Sequence, residues 1–365
     1  MSVMAATSAA DTYMRAWVAR AWIADPAEMP PPPATVRDMY LVHDAMKDHQ
    51  LAESAFGGLA GWKLGAVGVI QGEPAISAPL FRQFVVDAPS GALSAAAINM
   101  HNLEVMPEPR ACMWRRAPSR ASRCGSGGFQ PGRGLPPARM TLVLDCDTTQ
   151  AEVGVEMERD LGPKEDGTQY STDEVAASRA HFVTSRVRKY ARGERNVPTC
   201  AQARAEKTGW SCGADMMPIT LSQVWEAVGT VMPIIEMCGR RSSAECIAAQ
   251  PKLGKLADAL MAGGVVMGTR HTKETVDRAK LKSISTSLQV NGAQVAAGST
   301  SECPEGGPIE SLTWCANHLV SRGLALQKGH VVITGATCKS TQFKIGDTVT
   351  ASLGALGSVT CTVEP

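Results

Sequence analysis

The sequence predicts an α+β protein whose N-terminal region is helical and whose remainder is rich in strands. Residues 9–24 carry apolar side chains at helical spacing, including Tyr13 and Trp17. Thr35, followed by Asp38, has the pattern of an N-cap with an acidic first turn, which predicts a second helix. In the C-terminal third, short apolar stretches separated by glycine turns are typical of strands.

The C-terminal third is predicted to hold a hairpin, a helix and three further strands. Asn291-Gly292 between two strand-like stretches is a signal for a type I′ turn, because both residues tolerate positive φ. The predicted elements are strands Ser285–Val290 and Ala293–Ala296, helix Pro308–Ser321, and strands Val331–Thr334, Thr348–Leu353 and Ser358–Val363.

Composition excludes several classes of protein. The chain has 365 residues, 44% hydrophobic and 19% charged, which is typical of a globular protein. A net charge of +1 and an aromatic content of 5% argue against a nucleic-acid partner. No apolar run is long enough to span a bilayer, so no membrane span is expected. The 11 cysteines form no C-x-x-C pair, which argues against a zinc site. An odd, scattered set of cysteines predicts reduced thiols and a cytoplasmic location. An organellar matrix is the alternative location, because Arg15 and Arg20 lie in an acid-poor N-terminal stretch.

Glu156-Met157-Glu158 is the first candidate for a functional site. On a β-strand, residues i and i+2 lie on the same face, so these two carboxylates can reach one point. Hard divalent cations such as Mg²⁺ prefer oxygen ligands of this kind. A solvated strand edge with two surface glutamates is the alternative explanation of the same pattern.

Two other charged residues interrupt apolar stretches. Lys63 lies between Trp62 and Leu64, and Glu236 follows a run of apolar residues. Burying a lone acid is costly unless a cation or another strong partner neutralises it. We therefore expect Glu156 and Glu236 to face one cavity, with the ammonium group of Lys63 pointing into it. For Lys63, a strand end whose side chain extends outward to solvent is the alternative.

Two segments are rich in basic residues and poor in aliphatic ones. Residues 107–140 hold many arginines and one acid, Glu108, together with frequent glycine and proline. A second basic segment lies near residues 179–219. Segments of this composition bury too little apolar area to offset the entropy of ordering, so we expect residues 107–140 to be a surface excursion with little regular structure.

Four stretches, taken in order, resemble the fumarylacetoacetate hydrolase superfamily, and within it the branch of 2-keto-4-pentenoate hydratase and 4-oxalocrotonate decarboxylase. The similarity covers most of residues 8–105 and 140–365. The stretches are Gly61-Trp62-Lys63-Leu64-Gly65, Gly154-Val155-Glu156 with its second acid, Pro233-Ile234-Ile235-Glu236, and Leu326–Gly335 followed by Gly346-Asp347 and Leu356–Val359.

The resemblance implies a mixed β-roll or sandwich of the fumarylacetoacetase C-terminal type. Residues 1–60 would be the helical N-terminal region and residues 61–365 the catalytic domain with its two basic insertions. It further implies Mg²⁺ or Mn²⁺ held by Glu156, Glu158 and Glu236. The cation would chelate a short 2-oxo acid, Lys63 would act as acid/base or as an anion partner, and Thr334 and Gly335 would hold the substrate carboxylate.

The implied activity is a hydro-lyase reaction of aromatic catabolism, in which water adds to a 2-oxo-4-enoic acid such as 2-hydroxypenta-2,4-dienoate. Alternatives are a decarboxylase or C–C hydrolase of a related 2-oxo acid, and a non-catalytic structural subunit with the same fold. A homo-oligomer is expected, and the basic insertions would be contact surfaces in a larger assembly.

The strand after the paired acids departs from the family pattern. The family continues this strand with an apolar stretch before an Arg-Asp-Leu turn, whereas here Arg159-Asp160-Leu161 follows Glu158 directly. Either Glu158 is the second ligand, or residues 157–160 belong to the turn and the second ligand is lost.

Overall fold

The structure is a computed structural model that describes residues 1–65, 71–88, 92–94, 148–162 and 218–364. The predicted excursion at residues 107–140 lies outside these ranges. The second basic segment, residues 179–219, also lies outside them except for residues 218 and 219. Among the described residues, no helix combines the length and apolar character that crossing a membrane requires.

Helices dominate the N-terminal region and recur between the later strands. The described helices are α1 (Val3–Ala19), α2 (Val36–Lys47), α3 (Gln50–Ser54), α4 (Leu221–Ala227), α5 (Ala244–Ala249), α6 (Lys252–Leu256) and α7 (Pro308–Ser321). Helix α2 begins as the sequence predicts, because the Thr35 side chain accepts from the Asp38 N–H and the Asp38 carboxylate accepts from the Thr35 N–H. The predicted helix at residues 308–321 is also confirmed.

Strands form two sheets in the described part of the chain. The strands are β1 (Leu59–Gly65), β2 (Ile76–Phe81), β3 (Val85–Asp87), β4 (Ala92–Ser94), β5 (Thr148–Met157), β6 (Val228–Cys238), β7 (Ala262–Met267), β8 (His271–Thr272), β9 (Ser285–Val290), β10 (Ala293–Ser299), β11 (Val331–Ala336), β12 (Thr341–Gln342), β13 (Thr348–Ser352) and β14 (Ser358–Glu364). The larger sheet has the order β2-β1-β11-β5-β6-β7-β3, with β12 paired to β5 and β8 to β6. The smaller sheet has the order β10-β9-β13-β14-β4.

The larger sheet lies between two apolar layers. On one face, Met232, Ile234 and Ile333 join a core cluster with the N-terminal helices and with α5 and α6. On the other face, Ile235 and Val332 join a second cluster with the smaller sheet, α4 and α7. Alternate residues of each strand therefore serve different cores, as the two-residue period of a strand requires. The predicted α+β fold, a mixed β-roll or sandwich with a helical N-terminal region, is confirmed.

A buried ion pair fixes the connection between β6 and β7. Arg241 Nε lies 2.5 Å from Asp258 Oδ1, and Arg241 also donates to the carbonyl oxygens of Asp258 and Ala262. These two carbonyls flank residues 259–261, which all have positive φ. The guanidinium carbon lies 4.0 Å from the ring centroid of Trp17 in α1. The arginine thus holds a turn that non-glycine residues adopt only at a cost.

Candidate functional site

Lys63 is buried at the centre of β1. It lies opposite Ala78 of β2 and Ile333 of β11, and the residue is only 3% exposed. Its Nζ forms an ion pair with Glu236 Oε1 and lies 3.9 Å from the sulfur of Cys238. Burial acts to lower the pKa of Lys63, but the neighbouring Cys238 and Glu236 outweigh it, so the pKa is raised and the ammonium form is favoured.

Glu236 explains why an acid interrupts the apolar strand β6. It is 1% exposed and lies opposite Gln150 of β5 on one side and Val265 of β7 on the other. Its neighbours Ile235 and Met237 point into the opposite core. The ion pair with Lys63 supplies the partner that burial of this carboxylate requires. The predicted juxtaposition of Lys63 and Glu236 is therefore present in the structure.

Glu152 is a candidate site residue that the sequence analysis missed. It is fully buried on β5 opposite Ile234, two positions from Glu236, which makes the two glutamates diagonal neighbours on one sheet face. Its Oε2 accepts a hydrogen bond of 2.9 Å from the Gly335 N–H, and its Oε1 has no hydrogen-bond partner among the described residues. Burial, reinforced by the charge of Glu236, raises the pKa of Glu152 well above its usual range.

Two uncharged polar groups, the Gln150 amide and the Cys238 thiol, border the carboxyl groups. Gln150 Nε2 lies 3.5 Å from the sulfur of Cys238, which belongs to the same face of β6 as Glu236. Burial and the charge of Glu236 raise the pKa of the Cys238 thiol to about 12. Cys238 is therefore a neutral thiol at neutral pH rather than a thiolate nucleophile.

Thr334 and Gly335 lie beside Glu152, at an irregularity in the pairing of β11 with β5. The Thr334 hydroxyl donates to the Val153 carbonyl oxygen over 2.9 Å, and the residue is fully buried. Gly335 has φ +100°, and a Cβ there would lie 2.4 Å from Pro304 Cδ. Only glycine fits this conformation and contact without strain. In this conformation the Gly335 N–H donates to Glu152 Oε2.

The structure does not bring Glu156 and Glu158 to this cluster, and the expected ligand triad is corrected. Glu156 shares a sheet face with Glu236 but lies six residues along β5 from Gln150, roughly 20 Å away at the usual rise per residue. Its Oε2 pairs with Arg270 Nε at 2.8 Å. Glu158 lies beyond the end of β5, has a side chain 61% exposed, and pairs with a surface lysine. One cation cannot bridge either of them to Glu236.

A signal for Glu152 was available in the sequence. The family pattern places an apolar stretch between the paired polar residues and the Arg-Asp-Leu turn, and such a stretch, Val153–Val155, precedes Glu156. The residues before that stretch are Gln150-Ala151-Glu152, which have the same i, i+2 spacing. A search for two glutamates overlooks this pair because its first member is a glutamine.

The arrangement offers carboxyl oxygens and one ammonium group, all of them buried. No three His, Cys, Asp or Glu side chains within the described ranges converge as a complete metal-binding set. Glu152 and Glu236 nevertheless supply two carboxyl groups, and Glu152 Oε1 is buried with no hydrogen-bond partner among the described residues. Such a donor set fits a hard divalent cation that keeps water or ligand oxygens in its remaining positions. The amide oxygen of Gln150 is a further candidate donor on the same face.

Comparison with known proteins supports the family and the fold. Residues 209–364 match the family model for the fumarylacetoacetate (FAA) hydrolase C-terminal domain. The 2-oxo-hept-4-ene-1,7-dioate hydratase of Escherichia coli is 27% identical over 149 residues, which are 39% of this chain and 53% of that protein. The match thus spans about half the length of this curated relative.

Solved structures agree in fold. Two structures of 4-oxalocrotonate decarboxylase from Pseudomonas putida G7 match with TM-scores of 0.58 and 0.60, covering 100% of this chain and 98% of theirs at 17% identity. The first is complexed with calcium and acetate and the second with magnesium and adipate. The resemblance inferred from the sequence is confirmed as a similarity, because residues 209–364 match the model of the fumarylacetoacetate hydrolase C-terminal family.

Proposed function

We propose that this chain is a divalent-metal-dependent enzyme acting on short 2-oxo acids. The observation that carries the proposal is the buried convergence of Lys63, Glu152 and Glu236 on one face of the larger sheet. Buried charges of both signs with an unpartnered carboxylate oxygen are costly to maintain, and sites of this kind are typical of catalytic centres.

Within this proposal, Glu152 and Glu236 are the metal-binding carboxylates, in place of the triad that included Glu156 and Glu158. A bound Mg²⁺ or Mn²⁺ would supply Lewis-acid stabilisation of a developing enolate. Lys63 would orient the substrate anion and hold a proton at its Nζ. The Gly335 N–H holds Glu152 in place, and Thr334 remains a candidate for the substrate carboxylate subsite.

The finer proposal is a hydratase that adds water to a 2-oxo-4-enoic acid such as 2-hydroxypenta-2,4-dienoate. The similarity to a 2-oxo acid hydratase over 149 residues supports this choice of reaction. The apolar neighbours of the cluster, including Ile234 and Ile333, would exclude bulk water from the reacting chain.

The test begins with metal binding. Mn²⁺ titration followed by electron paramagnetic resonance should show one site in the wild-type protein. Glu152→Gln should weaken Mn²⁺ binding by about 100-fold or more, because outer-shell changes alone cost 10- to 100-fold and this change removes a ligand charge. Glu156→Gln is the matched control on the same strand and should bind Mn²⁺ as the wild type does. Loss of binding in Glu156→Gln with none in Glu152→Gln would refute the ligand assignment.

Turnover is measured separately, by the ultraviolet absorbance of 2-hydroxypenta-2,4-dienoate. Lys63→Met should reduce turnover by about 100-fold or more, which is the scale of general acid–base catalysis. Melting temperatures of all variants control for folding. A wild-type protein that binds Mn²⁺ but converts none of a panel of short 2-oxo acids would favour the non-catalytic alternative.

A further inference from the structure

Lys63 forms an ion pair with Glu236, a carboxylate that the proposed function assigns to the metal ion. Lys63 Nζ contacts Glu236 Oε1 directly, and both side chains are at most 4% exposed. A divalent cation at Glu236 would compete with this ammonium group for the negative charge of one carboxylate. Lysine has three donors on a flexible stem, so it can exchange one acceptor for another.

The described cluster holds two carboxyl groups and one ammonium group, and the raised pKa of Glu152 favours its protonated form, so Lys63 balances Glu236 in the metal-free protein. Glu152 and Glu236 carry two negative charges when both are ionised, and Lys63 supplies one positive charge. Among the described residues, the buried Arg241 that follows β6 is already paired with Asp258.

We propose that Lys63 is a built-in competitor of the metal ion: it neutralises Glu236 in the metal-free protein and transfers to the carboxylate of the 2-oxo acid when a divalent cation binds. The inference rests on the proposed metal site. With the cation bound, two carboxylates face three positive charges, counting Lys63. The cluster then has a net charge of +1, which a monoanionic 2-oxo acid neutralises.

Two consequences follow from this exchange. Lys63 should weaken the binding of metal alone, because the cation must break the ion pair with Glu236. The metal and the 2-oxo acid should strengthen each other's binding beyond what chelation gives, because the displaced ammonium gains a new partner. By linkage the coupling is reciprocal, so it can be measured on the metal alone.

The experiment measures the Kd of Mn²⁺ by calorimetry, with and without pyruvate as a 2-oxo monoanion. Lys63→Gln removes the charge but keeps a donor for Glu236. Lys273→Gln is the matched control, because Lys273 also pairs with a glutamate, Glu158, outside the cluster. Lys63→Gln should bind Mn²⁺ about 10-fold or more tighter than the wild type, within the range of typical coupling. Pyruvate should tighten Mn²⁺ binding more in the wild type than in Lys63→Gln, while Lys273→Gln should match the wild type.

The outcomes separate this inference from the proposed function. Mn²⁺ binding in the wild type with an equal or weaker affinity in Lys63→Gln overturns the competition and leaves the metal site intact. Absence of Mn²⁺ binding in every variant overturns both. Binding in Lys63→Gln alone supports the competition. If Lys63→Gln unfolds in metal-free buffer, competition predicts that Mn²⁺ restores its folding, and failure to do so overturns the inference.

Discussion

The stability of the protein in mild acid should depend on His43, a fully buried residue of α2. Its Nδ1 lies 3.1 Å from the Ser77 carbonyl oxygen and its Nε2 lies 2.9 Å from that of Leu256. A neutral imidazole carries one N–H and can donate to one of the two carbonyls, whereas the protonated ring can donate to both. Burial opposes the charged form, the two carbonyls favour it, and the nearby guanidinium of Arg322 opposes it.

The balance lowers the pKa of His43 from 6.5 to about 4. The folded state therefore favours the neutral ring. The stability that the neutral His43 ring provides is fully present above the pKa of His43 in the unfolded chain. It is lost as the pH falls from about 6.5 towards about 4. Over the full range the loss is about 3 kcal/mol, at about 1.4 kcal/mol per pH unit. Between pH 7.5 and pH 5.0 only the interval of about 1.5 pH units below pH 6.5 contributes, so the loss of stability over this range is about 2 kcal/mol.

The assay compares the free energy of unfolding in urea for the wild type and His43→Gln at pH 7.5 and pH 5.0, in metal-free buffer. His330, whose pKa burial also lowers to about 4, is present in both proteins, and its contribution cancels in the difference. The wild type should lose about 2 kcal/mol relative to His43→Gln on acidification. An unchanged difference would refute the lowered pKa of His43, and a relative gain by the wild type would show that the folded protein favours the imidazolium.

Two further predictions concern backbone conformation and buried charge. Gly335→Ala should lower the free energy of unfolding by about 2 kcal/mol or more, because strained φ and a steric clash act together. Gly292→Ala, where φ is +79° but no atom lies within 4 Å of the new Cβ, should lower the free energy of unfolding by less in the same urea titration. Arg241→Met should lower the free energy of unfolding by about 3–5 kcal/mol, because it leaves the buried Asp258 carboxylate without its ion-pair partner. Lys282→Met breaks an exposed ion pair and should change the melting temperature little. Equal effects of the two substitutions would contradict the argument.

Local interactions explain why much of the fold was predictable from the sequence. The Thr35 capping box needs residues three positions apart, and the hairpin at Asn291-Gly292 needs two residues that tolerate positive φ. The observed φ values of 51° and 79° at these two positions confirm the predicted turn. Such signals are fixed by neighbours along the chain, so no tertiary structure is needed to recognise them.

The sequence also identified Lys63 and Glu236, because a charged residue inside an apolar strand is costly to bury without a partner. It could not decide which glutamate of β5 joins them. Side-chain alternation assigns Glu152 and Glu156 to the same face, so periodicity does not distinguish them. The choice depends on register: Gln150 lies opposite Glu236, and this places Glu152 beside it and Glu156 at the far end of the strand. Register is set by the pairing of β5 with β6 and β11 and by the packing of both sheet faces, which are long-range interactions that only the tertiary structure contains.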